Sequence, residues 1–403
     1  MKKGLLFFLF FCTIISYSQT IIKGKISSIE NLPLEGASVY LNNTTIGTIS
    51  NSNGEFILKA KQDNYTLVVS FLGYKVKQIP IRNTLKQPFL NIKLEEDSAI
   101  LDEVVIKKTV YDDNWKFNLL RFKQAFLGRS KLALECKILN EKDIHFDYNK
   151  ETNTLNAITK KPLKIKHLGL GYLITYDLVD FTLEDKQLFF SGYARYENLR
   201  KSIRKKWRNN RLTTYNGSQM HFLRSLIAKK LKQDGFVINQ FKRVLNPERP
   251  SEEKIKLAKK LLRLYNGSIN LFKEVENPTT TKDSIAYILR KARLPKYRDY
   301  LYKRNVPYKD MLTFKNNIPY LDFNNYLMVI YKNEPEEENY LKGMFGKRRK
   351  RNEVQTSNIV LLQGKSVLDK AGILEPGSFF NEGYWGFESF GDMLPLDYQP
   401  SKN

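Results

Sequence analysis

Three histidines stand in the whole chain, His145, His167 and His221, and their neighbours limit the metal chemistry open to them. A catalytic zinc keeps three protein ligands and one open position for water. A peptidase of the His-x-x-Glu kind needs a carboxylate three residues after the first ligand, but here those positions hold Tyr148, Leu170 and Arg224. The ligand set is absent, and neither a metal nor a cofactor is expected. Ser202-Ile203-Arg204-Lys205 and Ser251-Glu252-Glu253-Lys254 match S-x-x-K, yet the companion S-D-N and K-T-G elements of acyl-transfer serines are missing. A lysine-rich chain produces such matches by chance. No G-x-S-x-G, P-loop or dinucleotide G-x-G-x-x-G pattern occurs. Asn51-Ser52-Asn53-Gly54 has the outline of a calcium loop but no carboxylate, so it is a turn. No catalytic residue is assigned.

One stretch does gather groups suited to an anion. Trp207, Arg208, Arg211, Tyr215, Ser218, His221 and Arg224 fall at helical spacing across two adjacent segments. Packed as a hairpin, these helices would bring guanidinium forks and a titratable imidazole to one anionic group. Arg208, Arg211, Ser218, His221 and Arg224 are the binding residues this arrangement names. A pocket placing His221 beside a carboxylate such as Asp177 or Asp180 would make it an enzyme site. The competing arrangement, preferred here, puts Trp207, Tyr215 and Phe222 in a core, with the arginines at its rim and His221 as a structural residue.

The elements that must position these groups begin with strands. Ala37, Val39 and Leu41 alternate with Ser38, Tyr40 and Asn42, the period of a half-buried strand. Ile46–Ser50 is a short second run, Asn51–Gly54 supplies a tight turn with Gly54 at positive φ, and Glu55–Leu58 resumes. Ile21–Ile26, Tyr65–Phe71, Tyr74–Ile81 and Phe89–Leu94 complete a set of short strands, as in a β-sandwich. Beyond it, Asp112 or Asp113 caps a helix to about Phe126, with Trp115, Leu119, Phe122 and Phe126 on one face and Gly128 as the stop. From Lys131 to Leu188 the pattern is β again, starting with a strand over Leu132–Ile138 that puts Cys136 on its apolar face. Helices follow over 199–234, the second capped by Ser218 and running through Leu231. Gly235–Phe241 is a strand, Ser251 caps a basic helix to Tyr265, and a further helix lies near Ser284–Lys291. Tyr320–Tyr331 reads as a hairpin, 336–351 as a solvated loop, Ser357–Gly364 as a strand and 383–398 as an irregular aromatic tail. The expected fold is an all-β N-terminal sandwich followed by a larger α+β region with antiparallel strands and several helices.

The pattern PL-x-GA-x-V, GT, NGEF and Phe71-Leu72-Gly73-Tyr74 resembles the carboxypeptidase-regulatory-like domain, a small transthyretin-like or Ig-like sandwich, over roughly residues 20–97. Leu101-Asp102-Glu103-Val104-Val105-Ile106 looks like the junction after that domain in TonB-dependent outer-membrane receptors of the SusC type. Here, however, the residues beyond it lack the amphipathic ten-residue strands of a large barrel. The segments FKQAFLGRS, CKILN, LGLGY, GYARYENL, NGSQMHFLRSL and LPLDY resemble a family of exported Bacteroidetes proteins without an established activity. The expected organisation is a signal peptide over 1–18, the sandwich over 19–97, a linker over 98–111 and an α+β domain over 112–403.

Compartment and charge narrow the partners. Lys2-Lys3, an apolar run from Leu5 to Ile15 and Ser16-Tyr17-Ser18 make a secretory leader cut before Gln19, too short for the roughly 20 apolar residues of a membrane span. Phe11 before Cys12 does not fit a lipoprotein site. Cys136 is then the lone cysteine, a buried thiol rather than a nucleophile. With 67 Lys and Arg against 42 Asp and Glu, the formal net charge of +25 favours anionic partners. Export argues against nucleic acid. The expected role is a non-enzymatic envelope interaction protein, in the periplasm or at the outer membrane, whose partner is an envelope protein or an anionic glycan or lipid surface. The alternatives are an envelope enzyme around Arg211, Ser218, His221 and Arg224, and a component associated with TonB-dependent uptake.

Overall fold

In the computed structural model the described residues are 19–400 without 62–64, 82–87, 98–108, 160, 186, 266–268, 272–276, 317 and 343–352. The leader, the Leu101–Ile106 junction and most of the linker lie outside them. The chain falls into two compact units. One is Met1–Ser218 with Glu337–Arg348 and Phe387–Asn403; the other is Gln219–Glu336 with Arg349–Gly386.

The first unit opens with seven strands: β1 (Gln19–Ser28), β2 (Ser38–Leu41), β3 (Gly47–Ile49), β4 (Glu55–Lys61), β5 (Tyr65–Ser70), β6 (Lys77–Ile81) and β7 (Leu90–Leu94). They form two sheets, β4-β1-β7 and β3-β2-β5-β6, antiparallel except where β7 runs parallel to β1. Alternate residues such as Ile22, Val39, Leu41, Phe56, Leu67 and Ile92 meet in one core, the sandwich that the period-2 pattern predicts. At the turn, Asn51 Oδ1 accepts from the backbone of Asn53 and Glu55. Gly54 has φ +76°, and a Cβ there would lie 2.3 Å from the Ile26 carbonyl oxygen. Only glycine fits both demands.

A six-stranded antiparallel sheet follows: β8 (Cys136–Ile138), β9 (Ile144–Asn149), β10 (Thr154–Thr159), β11 (Leu163–His167), β12 (Tyr172–Glu184) and β13 (Gln187–Asn198). The strand expected over Leu132–Ile138 is shorter. Ala133–Glu135 is a 3-10 turn, because Ser130 Oγ accepts from the Ala133 N–H at 2.9 Å and coils the chain before it can pair. Helix α1 (Asp113–Phe126) starts where expected, with Asp112 accepting from Trp115 N at 2.8 Å. It buries Leu119, Phe122 and Phe126. Phe122 packs on Phe146 and Phe181, and Phe126 stacks on Phe390. Helix α2 (Lys205–Tyr215) lies at the end of this stretch.

The sandwich is joined to the large sheet by the turn after β2. Asn43 N donates to Ala194 O at 2.8 Å and Tyr196 N to Thr44 O at 3.0 Å, so Thr44 bridges Arg195 in parallel. Alternation places Tyr40 on the outer face of the sandwich. It is nonetheless 1% exposed, because its hydroxyl donates to Asp177 Oδ2 on β12 at 2.7 Å.

The second unit contains helices α3 (Gln219–Ile227), α4 (Glu252–Leu264) and α5 (Thr281–Lys291). Strands β14 (Phe236–Leu245), β15 (Tyr297–Lys303), β16 (Leu312–Lys315), β17 (Ile318–Asp322), β18 (Tyr326–Pro335), β19 (Val354–Leu361), β20 (Lys365–Asp369), β21 (Ile373–Leu374) and β22 (Phe379–Gly383) form two sheets, β15-β14-β18-β19-β22 and β16-β17-β20-β21. Phe222, Leu223 and Leu226 of α3 join Phe236, Leu327 and Ile359 in its core. Ser251 caps α4 by accepting from Lys254 N.

Three expectations here need correction. α3 stops at Ile227 rather than Leu231, since Lys229 turns left-handed at φ 58° and Lys230 N donates back to Ser225 O, a helix-ending pattern. Tyr320–Tyr331 is not a hairpin, because β17 pairs with β16 and β20 while β18 pairs with β14 and β19. The 336–351 loop holds a short helix, Glu338–Lys342, whose Leu341 is buried.

Candidate functional site

The residues expected to bind an anion fall in different units. In the first unit, Arg211 on α2 is 4% exposed and fully engaged by protein groups. Its Nε donates to Leu170 O at 2.8 Å, and one terminal nitrogen donates to Asn198 Oδ1 at 2.9 Å and Gly171 O at 3.4 Å. The guanidinium lies 3.8 Å from the Tyr172 ring centroid. Trp207 Nε1 donates to Leu168 O, and its ring lies where a Cβ on Gly171 (φ +72°) would stand, 2.2 Å from that position, so only glycine admits it. Together these bonds hold the turn between β11 and β12, which explains why its carbonyls need no further strand. Arg208 is exposed, and Ser218 Oγ donates to Tyr215 O at 2.7 Å.

In the second unit, His221 on α3 is 9% exposed and meets Phe236 and Tyr331 edge-on. Its carboxylate neighbour is Asp234, with Nε2 to Oδ2 at 4.0 Å, rather than Asp177 or Asp180. Burial lowers the imidazole pKa, with Asp234 pulling the other way. Ser225 Oγ donates to that same Asp234 oxygen at 2.6 Å. The serine therefore bonds to the acid and not to the imidazole, the reverse of the order a nucleophile needs. Arg224 Nε donates to Ala371 O at 2.8 Å. Trp207, Tyr215 and Phe222 are all buried, as a core role requires.

Sequence reasoning missed two features of the first unit. The first is a cleft of about 470 Å³ between the sandwich and the large sheet. Tyr40 and Phe71–Tyr74 of the sandwich line it together with Lys164, Thr175, Asp177 and Arg195 of the large sheet. Lys164 Nζ donates to Thr175 Oγ1 at 2.8 Å, and Arg195 pairs with Glu197 at 2.7 Å. Burial raises the Asp177 carboxyl pKa, against the pull of the Tyr40 hydrogen bond. The sequence trace of this cleft is Asp177, a carboxylate that follows the alternating Tyr172–Tyr176 run of its strand.

The second is a set of buried titratable groups at the C-terminal segment. His167 is 0% exposed, with Nε2 2.8 Å from Gly391 O. Burial lowers its pKa to about 4. Beside Gly391, Asp392 takes a hydrogen bond from Ser130 Oγ at 2.5 Å, and its other oxygen, Oδ2, has no partner among the described residues. Burial pushes this carboxyl up to about 7, and Glu337 adds to the rise. Burial likewise lifts the Cys136 thiol to about 12, so it is not a thiolate nucleophile at neutral pH. Among the described residues no cluster of three His, Cys, Asp or Glu is arranged to hold a metal.

Comparison with known proteins bears on the N-terminal part. Over 97 residues the chain is 38% identical to the TonB-dependent receptor SusC of Bacteroides thetaiotaomicron, a match covering 24% of this chain and 9% of that protein. Over 89 residues it is 26% identical to a TonB-dependent receptor of Formosa agariphila, covering 22% and 8%. The chain thus spans less than a tenth of the length of these curated relatives. Among solved structures, a DUF3823 family protein from Bacteroides ovatus aligns over 45% of this chain and 82% of its own, at 9% identity and TM-score 0.17. A membrane-associated protein of unknown function from Bacteroides fragilis aligns over 91% and 95%, at 11% identity and TM-score 0.16. Scores this low carry no weight for fold or function. Residues 22–106 match the CarboxypepD_reg-like domain, and that domain is what this chain shares with the receptors.

Proposed function

We propose that this chain is an exported, non-enzymatic protein of the bacterial envelope whose N-terminal sandwich serves as a contact module. The observation that supports this most is the regulatory-like domain at 22–106, which is homologous to part of TonB-dependent receptors and here forms the start of the first of two compact units. Partners are an envelope protein or an anionic glycan or lipid surface, with a component of TonB-dependent uptake as the more specific form. Nucleic acid is not a partner in that compartment. No described helix is long and apolar enough to cross a membrane. The engagement of Arg211 by protein acceptors, and the bonding of Ser225 to Asp234 rather than to His221, favour interaction over catalysis.

The test is fractionation and crosslinking of a tagged full-length chain in a Bacteroidetes host. The protein is expected in the envelope fraction, beginning near Gln19, and crosslinked to an envelope protein. Recovery in the cytoplasm with Met1 retained would overturn the proposal.

A further inference from the structure

The insertion between β14 and β15 presents leucines and lysines together on one helix flank. Leu245 pairs with Tyr297, and Asn246 N donates to Lys296 O at 2.9 Å, so the insertion leaves and rejoins the sheet at one point. It holds α4 and α5, whose Ala258, Ile269, Ile285 and Ala286 make a small core apart from the main one of this unit. Two stripes run along α4 at the spacing i, i+3, i+7 that marks one helix face. Ile255, Ala258 and Leu262 form the inner stripe; the first two are buried, and Leu262 packs against the small core. Leu257, Lys260 and Leu264 form the second, displaced by two residues, which is about 200° around the helix. This stripe therefore faces away from α5, and Leu257 is 57% and Leu264 70% exposed.

Cations run beside the exposed leucines. Lys256, Lys260 and Arg263, at i, i+4 and i+7, are all exposed, and their side chains have no ion pair or hydrogen bond among the described residues. A solvated helix usually sets acids four residues from its lysines. Here the residues four before Lys260 and Arg263 are Lys256 and Lys259. Glu252, four before Lys256, is taken by Arg249 at 2.6 Å. Glu253 is the carboxylate on the leucine side, in the first turn, so the last two turns are cationic. The convex flank of a helix offers no cradle in which donors converge on a small anion. A bilayer needs none: apolar side chains enter its acyl boundary while lysine and arginine stems reach back to the headgroups.

We propose that the exposed flank of α4, from Lys256 to Leu264, is a docking surface for an anionic lipid bilayer. Leu257 and Leu264 enter the headgroup–acyl boundary, and Lys256, Lys260 and Arg263 sit against lipid phosphates. This deepens the envelope reading by choosing a lipid surface among its partners, and it rests on that reading for access to one. Vesicle binding is measured on purified protein and location by fractionation of cells, so either can fail while the other stands.

The test is flotation of the purified chain beginning at Gln19, which leaves out the apolar leader, with vesicles of phosphatidylethanolamine containing about 30% phosphatidylglycerol. At physiological ionic strength, binding is expected at least tenfold tighter than to neutral phosphatidylcholine vesicles. Leu257→Gln/Leu264→Gln keeps charge and helix propensity and should lose at least tenfold with an unchanged Tm. Lys256→Glu/Lys260→Glu should lose as much. Lys137→Glu/Lys166→Glu, the same charge change at exposed sites on the large sheet, should lose less than twofold. An environment-sensitive dye on Leu264→Cys should shift to the blue on the anionic vesicles alone, the buried Cys136 thiol, pushed up to about 12, being unreactive at neutral pH. Three results would each overturn the proposal. They are no binding to the anionic vesicles, equal losses for the two lysine pairs, which is diffuse charge, or undiminished binding of the leucine variant, which leaves an acidic protein as the partner of the lysines.

Discussion

His167 makes a sharp test of how this molecule holds its buried polar groups. The ring is 0% exposed; Leu170 N donates to Nδ1 at 3.2 Å, so the proton sits on Nε2 and is donated to Gly391 O at 2.8 Å. Both nitrogens are satisfied only in the neutral form. A second proton would break the Leu170 bond and bury a charge. Burial lowers the pKa from 6.5 to about 4, with the Gly391 hydrogen bond and Glu135 opposing it. The unfolded chain takes up this proton near pH 6.5 and the folded chain does not. The stability tied to a neutral His167 is therefore complete above pH 6.5 and is lost as pH falls toward 4. At 1.36 kcal/mol per pH unit, that interval is worth about 3 kcal/mol. His167→Gln keeps one donor and one acceptor and removes the titration. At pH 7.5 it should cost about 1–2 kcal/mol through imperfect geometry. By pH 4.5 its deficit relative to the unmodified protein should vanish or reverse. Urea unfolding followed by tryptophan fluorescence at pH 7.5, 5.5 and 4.5 measures this. The titration of Asp392, whose shift does not come from His167, is common to both proteins and cancels in the difference. A deficit that stays constant across the three pH values would refute the account.

Asp392 should behave in the opposite sense. Its folded pKa is raised to about 7, so its burial penalty appears as pH rises from about 4 through 7; Asp392→Asn should raise Tm most at pH 8.5, less at pH 5 and little at pH 3.5, as read by scanning calorimetry. Arg211→Ala leaves Leu170 O and Asn198 Oδ1 without their donor and should destabilise by about 2–4 kcal/mol in urea, whereas exposed Arg208→Ala should stay within about 0.5 kcal/mol. If either substitution instead weakened binding of an anionic ligand at unchanged Tm, the anion site read from the Trp207–Arg224 stretch would be supported. We further propose that residues 19–97 fold alone. Circular dichroism of that fragment should show a β-sandwich, and Phe56→Ala in it should cost about 3–5 kcal/mol.

The sandwich was legible because its information is local. Period-2 alternation, the Asn51–Gly54 turn and the αL demand at Gly54 all lie within a few residues of one another, and β1–β7 follow them. Asp112 and Ser251 were readable as caps for the same reason. What escaped depended on partners far along the chain. Tyr40 read as an outward residue because Asp177, which buries it, is 137 positions away. Tyr320–Tyr331 read as a hairpin because adjacency in sequence is the usual basis for pairing; here β17 and β18 each found other neighbours. The Trp207–Arg224 spacing was helical, as expected, but spacing says nothing about acceptors. The carbonyls that take Arg211 belong to the 168–171 turn, 40 and 41 residues earlier.

The turn after β2 carries one more implication. Leu396 N donates to Asn43 O at 2.7 Å, and Thr45 N donates to Asp397 Oδ1 at 2.9 Å, across 352 positions. The N-terminal module is thus fastened by a residue that follows Thr45 by 352 positions. At roughly 5–20 residues per second, translation leaves that turn without its fastener for roughly 20–70 s. During this interval Asn43 and Thr45 depend on water, and the fastening can form only once the tail has emerged. Asp397→Ala would therefore touch no helix or strand but would leave Thr45 N without its acceptor, and limited proteolysis should then cut the folded chain at Asn42–Thr45 faster than the unmodified protein.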